Sequence, residues 1–182
     1  LLQTFMSLAP PKCENPEPTV VLLTPGPMNS AYYEHSFLSD QMGIEMVQAE
    51  DLFVDGEFLH MKTVSGPKRV DIVYRRIDDN FLDPLSFNPE SLIGVPGIMN
   101  VYRTGGVTIL SAPGSGIADD KAIYVYVPEM IRFYLGQEPI LHNVETWKCE
   151  DASDLKYVLE NLSKLVVKEV DGSGGYGMLI GP

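Results

Sequence analysis

Residues 19–48 read TVVLLTPGPMNSAYYEHSFLSDQMGIEMVQ, and this stretch decides the fold. TVVLLTPG is a short, apolar, β-branched run stopped by Pro25 and Gly26, the pattern of a buried strand. Asn29 or Ser30 can then cap a helix that runs to about Met42. Tyr33, Phe37, Leu38 and Met42 recur in it at helical spacing as an apolar face, and Gly43 is the expected stop. IEMVQ follows as a second strand. Strand, helix and strand of this length form a βαβ unit, which is right-handed with its strands parallel.

The same alternation continues outward. LFVDGEFLHMK (52–62) reads as a hairpin turning at Asp55-Gly56, and VDIVYRR (70–76) as a buried strand with Arg75-Arg76 at its polar end. Residues 78–94 are loop-like, 96–103 a helix, and VTILSAP (107–113) a further strand. Residues 119–135 are mostly helical, with Pro128 either kinking the helix or opening a second one. DASDLKYVLENL (151–162) is a helix that Asp151 can cap, with Leu155, Val158, Leu159 and Leu162 on its apolar face. LVVKEV (165–170), a glycine cluster and MLIGP then suggest an antiparallel hairpin. The class expected is α/β, a mainly parallel sheet flanked by helices in Rossmann-like layers. Toward the other terminus, APPKCENPEP (9–18) is a proline-rich linker, and LLQTFMSL before it reads as the end of a helix belonging to a missing neighbour. The expected division is a leading segment over 1–18, an α/β domain over 19–148 and a partial second lobe over 149–182.

The 182 residues can bury a sizeable core, roughly two-thirds of the unfolded surface. A formal charge of -12 argues against coating nucleic acid by bulk electrostatics, but permits an anion in a locally basic pocket. Cys13 and Cys149 are far apart and the three histidines are scattered, so no zinc spacing exists. Two reduced thiols in a cytoplasmic protein are expected, with one long-range disulfide as the alternative. No apolar run is long enough to span a membrane, and the N-terminus lacks both a basic leader region and an initiator Met.

The chemistry concentrates at 165–182, LVVKEVDGSGGYGMLIGP. Gly172, Gly174 and Gly177 satisfy G-x-G-x-x-G, but no helix follows, so a dinucleotide fold is rejected. No Lys-Ser or Lys-Thr ends the loop, so it is not a Walker A loop. What remains is a glycine-rich flap whose N–H groups can approach phosphates, with Ser173 adding a hydroxyl. Lys168, inside an otherwise apolar strand, would supply a point charge and needs a partner. The plainer alternative is a tight turn with no ligand. In SAPGSGIADDKAIY (111–124), Asp119-Asp120 suits a helix N-terminus, whereas Lys121 opposes the helix dipole. The plainer reading of Lys121 is a solvated side chain paired with a neighbouring aspartate.

The order of these motifs resembles ATP-grasp ligases. An Asp-Lys opens an apolar helix, a loop and a short helix follow, and V-V-K precedes a glycine-rich loop. Residues 19–182 look more specifically like the circularly permuted ATP-grasp family, relatives of glutathionylspermidine synthetase. LTPGPMNSAYYEHSFLSDQMG, VYRRIDDNFLDP, APGSGIADDKAIYVYVPEM and VVKEVDGSGGYGMLIGP carry the likeness. The resemblance implies a pre-ATP-grasp domain followed by the start of an ATP-grasp lobe. It implies that Lys121 and Lys168 contact the phosphates of ATP and that Ser173, Gly174, Gly175 and Gly177 form the mobile phosphate loop. Arg75, Arg76, Asp78 and Asp79 match a motif of the family. A carboxylate clamp is the expectation for its arginines, a strand-end salt-bridge cluster the alternative. Glu34 and His35 lie near the end of the first strand, where open α/β sheets bind ligands, with Glu34 assigned to substrate and His35 to the surface.

The activity implied is ATP-dependent joining of a small-molecule carboxylate to an amine, peptide or thiol through an acyl phosphate, with ATP and Mg as cofactors. The metal motif is expected before this segment and the rest of the nucleotide lobe after it. No metal ligand or catalytic residue is therefore assigned, and the chain is expected to be an inactive internal piece of a larger protein. The rival reading is a non-catalytic α/β binding module for a small anionic ligand or a partner protein.

Overall fold

The structure is a computed structural model that describes residues 1–172 and 174–181. The chain divides into two compact units, Leu1–Ser115 and Gly116–Pro182. That division falls upstream of the boundary expected at 148/149.

The first unit runs α1 (Leu2–Met6), β1 (Val20–Leu23), α2 (Tyr32–Met42), β2 (Glu45–Val47), β3 (Leu52–Asp55), β4 (Phe58–Met61), β5 (Lys68–Val70), β6 (Ile72–Arg75), α3 (Asp79–Leu82), α4 (Ile98–Arg103) and β7 (Thr108–Leu110). Four strands form a parallel sheet in the order β2-β1-β6-β7, and β3-β4-β5 form an antiparallel one. The α/β class with a parallel sheet flanked by helices is thus as expected. β1 pairs Val21 with Glu45 on one side and Val20 with Ile72 on the other, so it is the central hinge of the order. Val21, Leu23, Val73 and Ile109 point to one face and join Leu59, Val70, Ile98 and Val101 in the main core. All four residues of β1 are buried, which explains its unbroken apolar run.

Three local expectations are corrected. The leading helix packs on this sheet: Phe5 is buried with Val20 and Ile72, its ring 4.9 Å from that of Tyr74. Helix α2 does not bury the aromatic face its spacing suggests. Tyr33 and Phe37 stack on each other in the open, while His35 and Ser39 are buried. The polar stripe goes inward because both side chains find partners there, Thr24 for His35 and the Ile44 carbonyl for Ser39. Asn29 forms a turn by accepting from the Ala31 N–H, and Ala31 holds the N-cap position. The stop at Gly43 is in the left-handed region, as expected.

The loop-like stretch 78–94 is organised by one carboxylate. Asp83 is 0% exposed. Its Oδ1 accepts from Leu85 and Gly97 N–H, and its Oδ2 from Met99 N–H and the Ser86 hydroxyl. It therefore folds its own loop and holds the start of α4.

The second unit contains α5 (Lys121–Leu135), α6 (Ala152–Glu160), β8 (Val166–Val167) and β9 (Leu179–Ile180). Pro128 lies inside a single helix. It has no N–H for the Tyr124 carbonyl, and the Asn143 side-chain amide donates there instead, at 2.9 Å. Asp151 sits at the α6 N-cap without a side-chain capping bond, and Val158 is the one buried apolar side chain of this unit among the described residues. β8 and β9 pair antiparallel, the expected hairpin. The strand is shorter than LVVKEV suggests, so Lys168 lies beyond β8 and is exposed rather than embedded.

Asp83→Ala should destabilise the chain by about 3 kcal/mol, because three backbone donors, one buried and two half-buried, lose their acceptor together. Urea unfolding midpoints of the two proteins measure it, and an unchanged midpoint would show that the loop is organised otherwise.

Candidate functional site

The carboxyl edge of the parallel sheet gathers most of the residues singled out in the first unit. Strand order reverses between β1 and β6, the position where open α/β sheets leave a crevice. Arg75 ends β6 there and Arg76 follows it, and the Arg76 N–H donates to the Leu23 carbonyl at the end of β1. Thr24, Pro25 and Gly26 follow β1 and lead into α2, which carries Glu34 and His35.

The two arginines are used differently. Arg75 is 9% exposed. Its Nε donates to the Ser111 carbonyl and its Nη1 to the Ile77 carbonyl, both at 2.7 Å. Its Nη2 donates to the Ala112 carbonyl and the Ser115 hydroxyl and lies 2.7 Å from Asp79 Oδ1. Asp79 Oδ1 also accepts from the Gly114 N–H. Arg75 and Asp79 thus form a strand-end cluster that fastens the segments leaving β6 and β7, and the guanidinium fork of Arg75 is occupied by protein. Arg76 is exposed; its contacts are the Tyr74 hydroxyl at 3.3 Å and the face of the same ring. Asp78 is exposed at the start of α3, and Glu34 is exposed in the first turn of α2.

His35 is not at the surface: it is 2% exposed. Its Nδ1 lies 2.9 Å from Thr24 Oγ1, which also accepts from the Gly26 N–H. Burial, aided by the charge of Arg76 and opposed by Glu34, holds its pKa below the ordinary 6.5. The ring is therefore neutral near pH 7. Gly26 is required by the same turn, since its φ is +102° and a Cβ would strike the Gln48 carboxamide. Neither Thr24 nor the burial of His35 has a signal in the sequence, because the partner of each lies across a helix–strand packing.

In the second unit Lys121 meets the entry of the glycine loop, whereas no contact joins the Lys168 side chain to either among the described residues. Asp120 caps α5 through the N–H groups of Ala122 and Ile123. Among the described residues Lys121 is not paired with an aspartate. Its Nζ donates to the Gly172 carbonyl and lies 3.4 Å from the Val170 carbonyl, and its own N–H donates to Val170 as well. The first residue of α5 is thus tied to the entry of the glycine loop 51 positions away. Gly174, Gly175 and Gly177 all have positive φ, which glycine alone adopts freely. The Glu169 side chain lies against Gly172 and would collide with a Cβ at Gly177, so Glu169 is a loop residue that sequence reasoning passed over. Ser173 lies outside the described residues. Among the described residues, no group of three or more His, Cys, Asp or Glu is placed to hold a metal, and no helix is long and apolar enough to cross a membrane. Cys13 and Cys149 are free thiols.

A family model described as "A circularly permuted ATPgrasp" matches residues 1–182. "Uncharacterized protein sll0335" of Synechocystis sp. is 57% identical over 182 residues, covering 100% of this chain and 37% of that protein. "Uncharacterized protein Rv2411c" of Mycobacterium tuberculosis is 51% identical over 166 residues, 91% of this chain and 30% of its own length. A Frankia alni protein named "Putative glutamate--cysteine ligase 2-3" is 42% identical over 182 residues, 100% of this chain and 21% of its own length. The chain thus spans between a fifth and two-fifths of the length of these relatives.

Two stability measurements check this geometry. Arg75→Gln should cost about 3–5 kcal/mol, the effect of removing one partner from a buried ion pair. His35 has a lower pKa folded than unfolded, so the unfolded chain takes up the proton first as pH falls. Its contribution is complete above about pH 6.5 and is lost as pH drops through the folded pKa. Urea midpoints should therefore fall on acidification by less in His35→Gln than in the parent chain, and parallel pH profiles would refute the assignment.

Proposed function

The chain belongs to the circularly permuted ATP-grasp family, and we propose from this that the protein carrying it is an ATP-dependent ligase. It would join a carboxylate to an amine or thiol through an acyl phosphate. The observation that supports this best is the bond from Lys121 Nζ to the Gly172 carbonyl. It brings one candidate phosphate-binding cation to the loop that carries the candidate phosphate-binding glycines.

The residues present fit part of a nucleotide site. A loop of three positive-φ glycines leaves backbone N–H groups open to close approach, and Lys121 and Lys168 supply positive charge on the same unit. ATP would supply the phosphoryl group that activates the carboxylate. This chain's part is to grip phosphate oxygens with loop N–H groups and the two lysines, and to stabilise charge where it builds up on transfer. For magnesium the described residues do not fit, and no step on this chain is assigned to it. The Frankia relative's name favours a carboxylate–amine ligase, in which an amino acid is the carboxylate.

Lys121→Ala should lower ATP-dependent ADP release by about a hundredfold, the scale of losing one donor from a charge-stabilising site. The assay uses the longest natural polypeptide that contains this chain, with amino acids and peptides as acceptors. Circular dichroism checks that the variant is folded. Failure of the parent protein to release ADP with any of them, or an unchanged rate in the variant, would sink the proposal.

A further inference from the structure

We infer that Glu169 competes with phosphate for the glycine loop: its carboxyl group lies on the face of Gly172 and Gly177 that a phosphate group would take, and it must turn out before one can enter. This deepens the ligase reading and rests on it for the nature of the ligand. The contact itself is read from geometry. A Cβ at Gly177 would fall on the Glu169 carboxyl group, with Glu169 Cγ only 2.7 Å away. A Cβ at Gly172 would meet Glu169 Cβ at 3.1 Å and Oε2 at 3.2 Å. One carboxyl group therefore lies against both glycines. The bare Cα atoms that let a phosphate come close to this loop let the chain's own carboxylate come close as well.

No cation holds Glu169 in that place. It is exposed and forms no ion pair or hydrogen bond among the described residues. Lys121 gives its ammonium to the Val170 and Gly172 carbonyls and not to Glu169. Carboxylate and phosphate both present anionic oxygens to backbone N–H groups, so they suit the same surface. They also repel each other, so the loop does not hold both in contact with the same two glycines. Glu169 has solvent on its open side, and rotation about its side-chain bonds can clear it. The consequence is a grip on phosphate weaker than the glycines and lysines alone would make it, which favours release of a phosphate-bearing product.

Calorimetry of ADP binding in magnesium-free buffer tests this on the longest natural polypeptide that contains this chain. Glu169→Gln keeps the shape of the side chain and removes its charge. It should tighten ADP binding by about fivefold, the scale of removing one like charge about 5 Å away near a protein surface. Glu169→Ala, which clears the space as well, should tighten it at least as much. Inorganic phosphate should show the same gain, and adenosine, which lacks phosphate, should show none. Glu129→Gln makes the same change of net charge about two turns along α5 from Lys121 and should leave ADP affinity as it is. Unchanged or weaker ADP binding in either Glu169 variant would overturn the inference, as would an equal gain in Glu129→Gln or a gain with adenosine. ADP binding to none of these proteins would overturn it as well. The ligase reading fails separately: a parent protein that releases no ADP with any acceptor, but binds it more tightly without the Glu169 charge, supports this site without that activity. ADP release by a parent whose ADP affinity is indifferent to Glu169 does the reverse.

Discussion

The first unit depends on how Arg75 is paid for. A guanidinium that is nine-tenths buried is costly unless all its donors are met and its charge is balanced. Four carbonyl and hydroxyl acceptors and the Asp79 carboxylate do this, and they come from the two segments that leave the neighbouring strands β6 and β7. Neither segment can move without leaving a buried charge unsatisfied. The carboxyl edge of the sheet is therefore rigid at one corner by electrostatics rather than by apolar packing. Asp83 does the same for the following loop with the opposite charge, its hydrogen bonds closing 83–99 alongside the core packing of Val95, Ile98 and Met99.

The second unit is held differently. It has a single buried apolar side chain among its described residues, so its local order leans on polar ties: Asn143 on the carbonyl freed by Pro128, Asp120 on the start of α5, and Lys121 on the loop carbonyls. Lys121 illustrates the consequence. A lysine at a helix N-terminus opposes the dipole, so its ammonium gains most by leaving the helix and finding acceptors elsewhere. The acceptors it finds belong to the glycine loop. An anion arriving at that loop would offer Lys121 a stronger partner than neutral carbonyls do, because a charge-assisted bond to an anionic oxygen is roughly twice as strong.

The parts of the fold that were legible in the sequence are those set by periodicity and punctuation. The βαβ unit, its stop at Gly43, the hairpin at Asp55-Gly56 and the final antiparallel pair are all of this kind. β5 was not legible, since three residues ending a charged turn carry no alternation of their own. The inward face of α2 was misjudged because periodicity counts apolar residues, whereas burial here follows hydrogen-bond partners that lie on other elements. The adjacent arginines were legible as a motif and not as two separate jobs. Which of two neighbours in a strand faces the loops and which faces the crevice depends on register, and register is a property of the sheet.

The overall charge of -12 looks hostile to any anionic ligand, yet it decides little at the crevice. Beyond about 8 Å, exposed charges are largely screened at physiological ionic strength, so a ligand feels the few groups within that reach. What counts there is whether a cation is already paired. Arg69 leans on Asp71, Arg75 on Asp79, Arg132 on Glu138 and Lys148 on two acids, and each has part of its field cancelled at source. Arg76 is left with an aromatic ring and a phenol. An acidic chain can leave room for an anion at such a place because Arg76, unlike these four, has no carboxylate paired with it among the described residues.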